Sequence, residues 1–141
     1  MVVKKTTYNG ISEAIKISFL GDKDLHKFYD PNVKVDGIEE IVNDIKGKLL
    51  TYKNSEYRVV MDKKSIAGYF VFSGSNLISF ALAIQYRVRK YLREFMSLIK
   101  QETKIKMECL LWISNVRAIR WLEKNDFKIT FVHNKIVKLC Q

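Results

Sequence analysis

The composition of this chain is that of a globular protein with one hydrophobic core. Its 141 residues are 48% hydrophobic and 12% aromatic with a single proline, which excludes intrinsic disorder and favours one domain. The formal net charge of +10 favours an acidic partner, such as a nucleic acid, a phosphorylated cofactor or an anionic assembly surface. The chain carries neither a signal-peptide pattern nor an apolar run of about 20 residues, so we expect no membrane association and a cytoplasmic location.

The cysteines and histidines indicate neither a disulfide framework nor a metal site. Cys109 and Cys140 stand in apolar surroundings without a C-x-x-C spacing, which is typical of buried, reduced thiols. His26 and His133 are more than a hundred residues apart with no cysteine near either. We therefore predict that both are surface or turn residues and that no metal is bound.

The first 35 residues have only a weak pattern. The segments "ISEAIKISFL" and "KDLHKFYD" have short helical spacings, and Ser12 could cap the first of them. We predict a helical or mixed lead-in here. From Asp36 apolar residues recur at intervals of three and four, which predicts a helix that ends near Asn54. These residues are Ile38, Ile41, Val42, Ile45, Leu49 and Tyr52.

The middle of the chain changes to the pattern of strands. Three short runs, "EYRVVMD", "SIAGYFVFS" and "NLISFALAI", are rich in β-branched and aromatic residues and are separated by "KK" and "GS" turns. They predict a three-stranded antiparallel meander. A long amphipathic helix should follow, because apolar residues recur at helical spacing. They are Val88, Tyr91, Leu92, Phe95, Leu98 and Ile99.

The last third predicts a strand, a helix and a hairpin. "IKMECLLWI" is a nearly continuous apolar run, typical of a strand buried on both faces and lying parallel to the strand before the helix. Asn115 then stands in the capping position of the helix "VRAIRWLEKND". "FKITFV" and "KIVKLC" flank His133 and Asn134 and predict a terminal hairpin.

This order of elements and two local motifs resemble the GNAT superfamily of N-acetyltransferases, from about residue 36 to the end. The segment "NVRAIRWLEKNDF" is similar to the family's N-x-x-A-[IV]-x-x-[YL]-x-K-x-G-F pattern, with Asp126 in place of glycine. The resemblance implies a single-domain α/β (α+β) fold over residues 1–141. That fold has a mixed, mostly antiparallel sheet, helices on both faces, and a central parallel strand pair within residues 76–113.

The second motif, "AIQYRVRKYL", resembles the [QR]-x-x-G-x-[GA] loop that holds the pyrophosphate of coenzyme A. Gln85 matches, but Val88 and Lys90 replace the glycines, which allow close approach and unusual backbone angles. Arg87, Arg89 and Lys90 could compensate through charge-assisted hydrogen bonds to phosphate. The alternative is a solvated basic face that costs about 0.3 to 1 kcal/mol per charge at a helix N-terminus.

The resemblance also assigns residues to the wall of the coenzyme site. The strand before the loop would line the acetyl-CoA, and the loop from Gln85 to Lys90 would hold its phosphates. The wall residues are Phe80, Leu82 and Ile84.

Catalytic residues are less well marked. The family's tyrosine acid falls on Leu122, so Tyr86 is either a substitute acid or a packing residue. Glu108 is either the general base or a partnered structural carboxylate. Asn115 could cap its helix, contact the coenzyme, or do both, and Ser114 offers a hydroxyl.

Two functions remain open. The first is an N-acetyltransferase with a glycine-less cradle, whose partners are an acetyl-CoA thioester and an amine. The second is a catalytically degenerate GNAT-like protein that serves as a structural or interaction component. The chain resembles small lysine-rich proteins of this kind in bacteriophages, some in the virion interior, so its partners would then be proteins of an assembly. We do not expect direct nucleic-acid recognition, because no binding motif is visible.

Overall fold

The computed structural model describes residues 1–25 and 37–141 as a mixed α/β fold built on one sheet. The strands are β1 (Val2–Thr6), β2 (Glu56–Asp62), β3 (Ser65–Ser73), β4 (Asn76–Leu82), β5 (Glu108–Trp112), β6 (Lys128–His133) and β7 (Ile136–Cys140). The helices are α1 (Ile11–Phe19), α2 (Ile38–Leu49), α3 (Arg89–Thr103) and α4 (Val116–Lys124), with a 3₁₀ turn at Ile84–Tyr86. His26 and most of "KDLHKFYD" lie outside the described residues.

The seven strands form one mixed sheet in the order β1-β2-β3-β4-β5-β7-β6. The meander β2-β3-β4 and the hairpin β6-β7 are antiparallel, and β4 pairs with β5 in parallel, as the sequence predicts. Helices cover both faces. One buried cluster joins α1 and α2 to β2–β4, and the other joins α3 and α4 to β2–β5 and β7.

The N-terminal part differs from the predictions in three ways. Val2–Thr6 is a strand that pairs with β2, which the helical or mixed lead-in did not include. Helix α1 begins after Gly10, and Ser12 accepts a hydrogen bond from the Lys46 Nζ at 2.6 Å, so Ser12 is not its cap. Helix α2 ends at Leu49 rather than near Asn54. There the Thr51 hydroxyl donates to the Lys48 carbonyl at 2.7 Å, and the chain tightens into turns.

Two predictions of burial are also wrong. Val88 is not part of the apolar seam of α3, because it is extended (φ −117°, ψ 157°), precedes the helix and is 51% exposed. Strand β5 is not buried on both faces, because Leu110 is 43% exposed. Among the described residues, the cluster beneath α1 and α2 includes no residue of β5.

Within the described ranges no helix is long and apolar enough to cross a membrane.

Candidate functional site

The parallel strands β4 and β5 touch at one end and then separate. Among the described residues their register pairs only Asn76 with Glu108, and the Glu108 N–H donates to the Ser75 carbonyl at 2.8 Å. The rest of β4 pairs with β3 and the rest of β5 pairs with β7. A gap therefore opens through the sheet towards Leu82 and Trp112.

A cavity lies on each side of this gap. The larger one, about 180 Å³, is lined by Asp22, Asp24, Phe80, Ala81, Leu82, Arg87, Leu92, Phe95, Asn115, Arg117, Ala118 and Trp121. The smaller one, about 60 Å³, is lined by Phe19, Asp44, Ile45, Lys48, Ile78, Ser79, Phe80, Leu110, Leu111, Trp112 and Asn115. Phe80 and Asn115 line both cavities, so the two spaces meet at the gap between the strands.

The larger cavity has an aromatic wall. Trp121 of α4 stacks on Phe95 of α3 with ring centres 5.6 Å apart and planes at 11°. Phe80 of β4 approaches the same indole at 5.5 Å. These contacts hold α3 and α4 against β4, and they give the cavity an apolar surface.

The predicted cradle forms the junction between β4 and α3. Ile84 and Gln85 are exposed in the 3₁₀ turn, and Val88 precedes the first helical residue, Arg89, without a side-chain cap. The first amides of α3 are therefore left without a capping side chain, and they are donors for an anion. The first turn of α3 contains no acidic residue, and Arg89 and Lys90 are exposed there.

The replacement of glycine does not strain this junction. The positive-φ residues of the described chain all lie elsewhere, and Arg87 and Val88 have φ of −82° and −117°. Val88 and Lys90 thus occupy conformations open to any L-residue. The backbone of residues 85–90 therefore does not need glycine's conformational freedom.

Arg87 is turned inward. Its Nε donates to the Leu82 carbonyl at 2.7 Å, one Nη donates to the Ser18 carbonyl at 2.9 Å, and the other pairs with Asp22 at 2.5 Å. Its guanidinium therefore ties the end of α1 to the end of β4. Of the three cations in the motif, Arg89 and Lys90 are exposed, and Arg87 is only partly so.

Asn115 stands at the start of α4 but does not cap it. Its backbone has φ −83° and ψ 60°, and its side chain makes no capping hydrogen bond. The residue lines both cavities. The Asn115 side chain therefore does not act as the predicted helix cap. The residue lies where the two cavities meet.

The three catalytic candidates do not converge. Glu108 lies at the closed end of the gap and pairs with Lys138 at 3.0 Å. Tyr86 is buried, and its hydroxyl donates to Asp62 at 3.0 Å, a bond that raises the pKa of the phenol. Ser114 lies in the turn between β5 and α4, beside Asn115.

Sequence reasoning missed several residues of the site. Arg117 follows Asn115 by two positions in the first turn of α4, and this spacing could have marked it as a cation of the larger cavity. Asp22 and Lys48 lie far from the motifs in sequence. The packing of α1 and α2 on the sheet brings them to the cavities. In the described part of the chain no three side chains of the metal-binding types come together.

Comparison with solved structures identifies the architecture as the GNAT fold. An acetyltransferase from Thermus thermophilus superposes with a TM-score of 0.74 at 10% identity, over 100% of this chain and 97% of that one. The PaiA N-acetyltransferase from Thermoplasma acidophilum, solved in complex with coenzyme A, gives 0.65 at 14% identity, over 100% and 99%. The Salmonella typhimurium acetyl transferase that modifies the N-terminal serine of ribosomal protein L7/L12 gives 0.67 at 10% identity, over 99% and 92%. No family model and no curated protein sequence matches this chain.

Proposed function

We propose that this protein is an N-acetyltransferase that takes acetyl-CoA on the α3–α4 side of the sheet and an amine on the α1–α2 side. The observation that carries the proposal is the gap between β4 and β5, with a cavity on each side and Phe80 and Asn115 shared by both. Two reactants could meet there from opposite faces of one sheet. The structural neighbours that are acetyltransferases, one of them holding coenzyme A, support the same assignment.

The chain offers distinct groups to each part of the coenzyme. The uncapped amides of α3, with Arg89, Lys90 and Arg117, would hold the phosphates. Phe80, Leu82 and the rings of Phe95 and Trp121 would surround the pantetheine arm of the coenzyme and exclude water from it. When bound, acetyl-CoA supplies an acetyl group already activated as a thioester.

The amine must lose a proton to react, and the gap limits which groups can take it. Glu108 lies at the closed end and is paired, and Tyr86 is turned towards Asp62. We therefore assign both a structural role. Asp44 also lines the smaller cavity, so its carboxylate or water beside Asn115 would take the proton.

Binding of coenzyme A, measured by calorimetry, tests the proposal. The double variant Arg89→Ala/Lys90→Ala should bind about tenfold more weakly at low salt, and the deficit should shrink at high salt, because salt screens exposed charges. The matched control is Lys4→Ala/Lys5→Ala on the edge strand β1, which removes the same charge with two strands between it and β4. Absence of coenzyme binding to the unaltered protein would refute the assignment.

A second function is favoured by one other feature. One face of β5, β7 and β6 exposes Leu110, Phe131 and Ile136 by 43%, 57% and 37% in the described part of the chain. Exposed apolar side chains grouped on one face, here around Lys138, are found at protein contacts. The predicted role as a component of an assembly, such as a bacteriophage virion, would use this face. Phe131→Asp should then release the protein from its particle during sedimentation and leave coenzyme binding intact; sedimentation as a free monomer before mutation would refute it.

A further inference from the structure

Lys48 reaches from α2 into the gap between β4 and β5. Its Nζ donates to the Ile78 carbonyl at 3.1 Å. Ile78 is the extra residue of a β-bulge, because Val71 pairs with Ser79 and Phe72 with Leu77. It also lies two residues beyond Asn76, where β5 leaves β4. The register of the described residues thus gives Ile78 no partner in β3 or β5, and the Lys48 amine donates to its carbonyl.

The surroundings of this amine favour its neutral form. Lys48 is exposed as a whole residue, yet its amine end points inward, and burial there lowers the pKa of the amine below the ordinary value of 10.5. The charged or titratable groups that face it are Asp44 on α2 and the Cys109 thiol on β5, and both act in the opposite direction more weakly. A larger neutral fraction makes an amine a better nucleophile.

The position of the amine connects it to the proposed coenzyme site. Lys48 lines the smaller cavity together with residues of both strand walls, and this cavity meets the larger one at Phe80 and Asn115. A thioester held in the larger cavity and reaching through the gap would face the Lys48 amine before any external acceptor.

We propose that Lys48 is an acetylation site of this protein, modified by the acetyl-CoA bound in its own cleft. This inference rests on the proposed function and assigns its first acceptor. The neutral Lys48 nitrogen forms a new bond to the acetyl carbonyl carbon, loses one proton, and displaces the coenzyme thiolate, which takes up a proton. The products are N-acetyllysine and free coenzyme A, so no other reactant is needed.

Acetylation would change the acceptor side of the gap. It removes the positive charge of Lys48 and adds an acetyl group within a cavity of about 60 Å³. External amines would therefore meet a narrower and less cationic cavity after the first turnover.

Peptide mass spectrometry with deuterated acetyl-CoA tests the proposal. Unmodified protein should gain the label at Lys48 at least tenfold faster than at Lys46, two positions along the same helix and bonded to Ser12. The rate per molecule should not change on dilution, because the reaction is intramolecular. Lys46→Arg should leave labelling at Lys48 unchanged, and an excess of coenzyme A without the acetyl group should suppress it.

Three outcomes would overturn the inference. They are equal labelling of Lys48 and Lys46, equal labelling of Lys48 in urea-unfolded protein, and a labelling rate that rises with protein concentration. Calorimetry on the same preparation distinguishes a wrong acetylation site from a wrong function. If coenzyme A binds but Lys48 is not labelled, the result refutes acetylation of Lys48 and leaves the proposed function intact. Limited reaction with acetic anhydride gives a readout without coenzyme, in which Lys48 of the folded protein should react faster than Lys46.

Discussion

Asp22 and Arg87, 65 residues apart in sequence, form an ion pair that joins the end of α1 to the β4–α3 junction. The side chains are 10% and 26% exposed, and the guanidinium also donates to the Ser18 and Leu82 carbonyls. The pair stands at the rim of the larger cavity. The charge that the motif presents at this position is thus already neutralised within the chain.

We expect Arg87→Ala to lower the free energy of unfolding by about 2 kcal/mol, since it removes the donor to Asp22 Oδ2 and to two carbonyls. Urea denaturation of Arg87→Ala, Asp22→Asn and the double variant measures the coupling between the two side chains. A coupling indistinguishable from zero would show that the pair does not hold α1 in place.

We expect Asn115→Ala to change stability by less than about 0.5 kcal/mol, because its side chain makes no capping hydrogen bond. The same variant should weaken coenzyme binding, since Asn115 lines both cavities. Thr7→Ala is the control for a side chain that does bond the backbone before a helix: the Thr7 hydroxyl accepts from the Gly10 N–H at 3.1 Å, and its loss should cost about 1 kcal/mol. If the two variants lose equal stability, Asn115 acts as a cap after all.

The buried thiol of Cys109 predicts a loss of stability in alkali. Burial raises its pKa from 9.0 to about 12, so the folded protein keeps a proton that the unfolded chain releases above pH 9. Its contribution is therefore complete below pH 9 and is lost as the pH rises towards 12, by up to about 1.4 kcal/mol per pH unit. The stability gap between the unaltered protein and Cys109→Ala should narrow over this range.

Urea denaturation at several pH values measures that gap. Cys140→Ala removes the other free thiol, which is only half-buried, and serves as the matched variant. A gap for Cys109→Ala that stays constant from about pH 8 to about pH 11 would contradict the predicted linkage.

Gly68 is expected to be essential for the wall that β4 gives to the larger cavity. A Cβ there would clash with the Ala81 carbonyl oxygen and lie 3.0 Å from the Leu82 Cα, so β4 would have to move. Gly68→Ala should cost about 1 to 3 kcal/mol and weaken coenzyme binding. Gly47→Ala in α2 has open space around it and should stabilise the protein by about 0.5 to 1 kcal/mol. Thermal unfolding measures the stability of both variants. If Gly68→Ala is as stable as the unaltered protein, β4 can shift to accommodate the added methyl group.

The elements with local periodicity were predictable, and those that depend on distant partners were not. The meander, α3 and the terminal hairpin follow from the spacing of their own apolar residues. Strand β1 carries Lys4 and Lys5 in a short segment, and it becomes a strand only because β2 offers an edge to pair with. Its β-branched residues Val2, Val3 and Thr6 favour a strand, but five residues are too few to show a clear period.

In the candidate site, too, the local features were predictable from the sequence and the contacts between distant residues were not. The motif around Gln85 predicted where the β4–α3 junction lies, because the change from strand to helix is visible in the sequence. It did not predict that Arg87 turns towards Asp22, or that Lys48 reaches the Ile78 carbonyl. Both contacts join residues 30 or more positions apart, and their geometry is set by how α1 and α2 pack on the sheet.

The turn that leads into α3 contains no glycine, and this affects the entropy of any binding event there. Glycine keeps more backbone freedom in the unfolded chain than other residues, by roughly 0.5 to 1 kcal/mol at each position. The segment from Ile84 to Arg89 has less backbone freedom in the unfolded chain than a glycine-containing turn would have, and it loses that freedom when the chain folds. An anion arriving at the amides of α3 would find them already fixed, so its binding should carry little penalty for ordering the backbone.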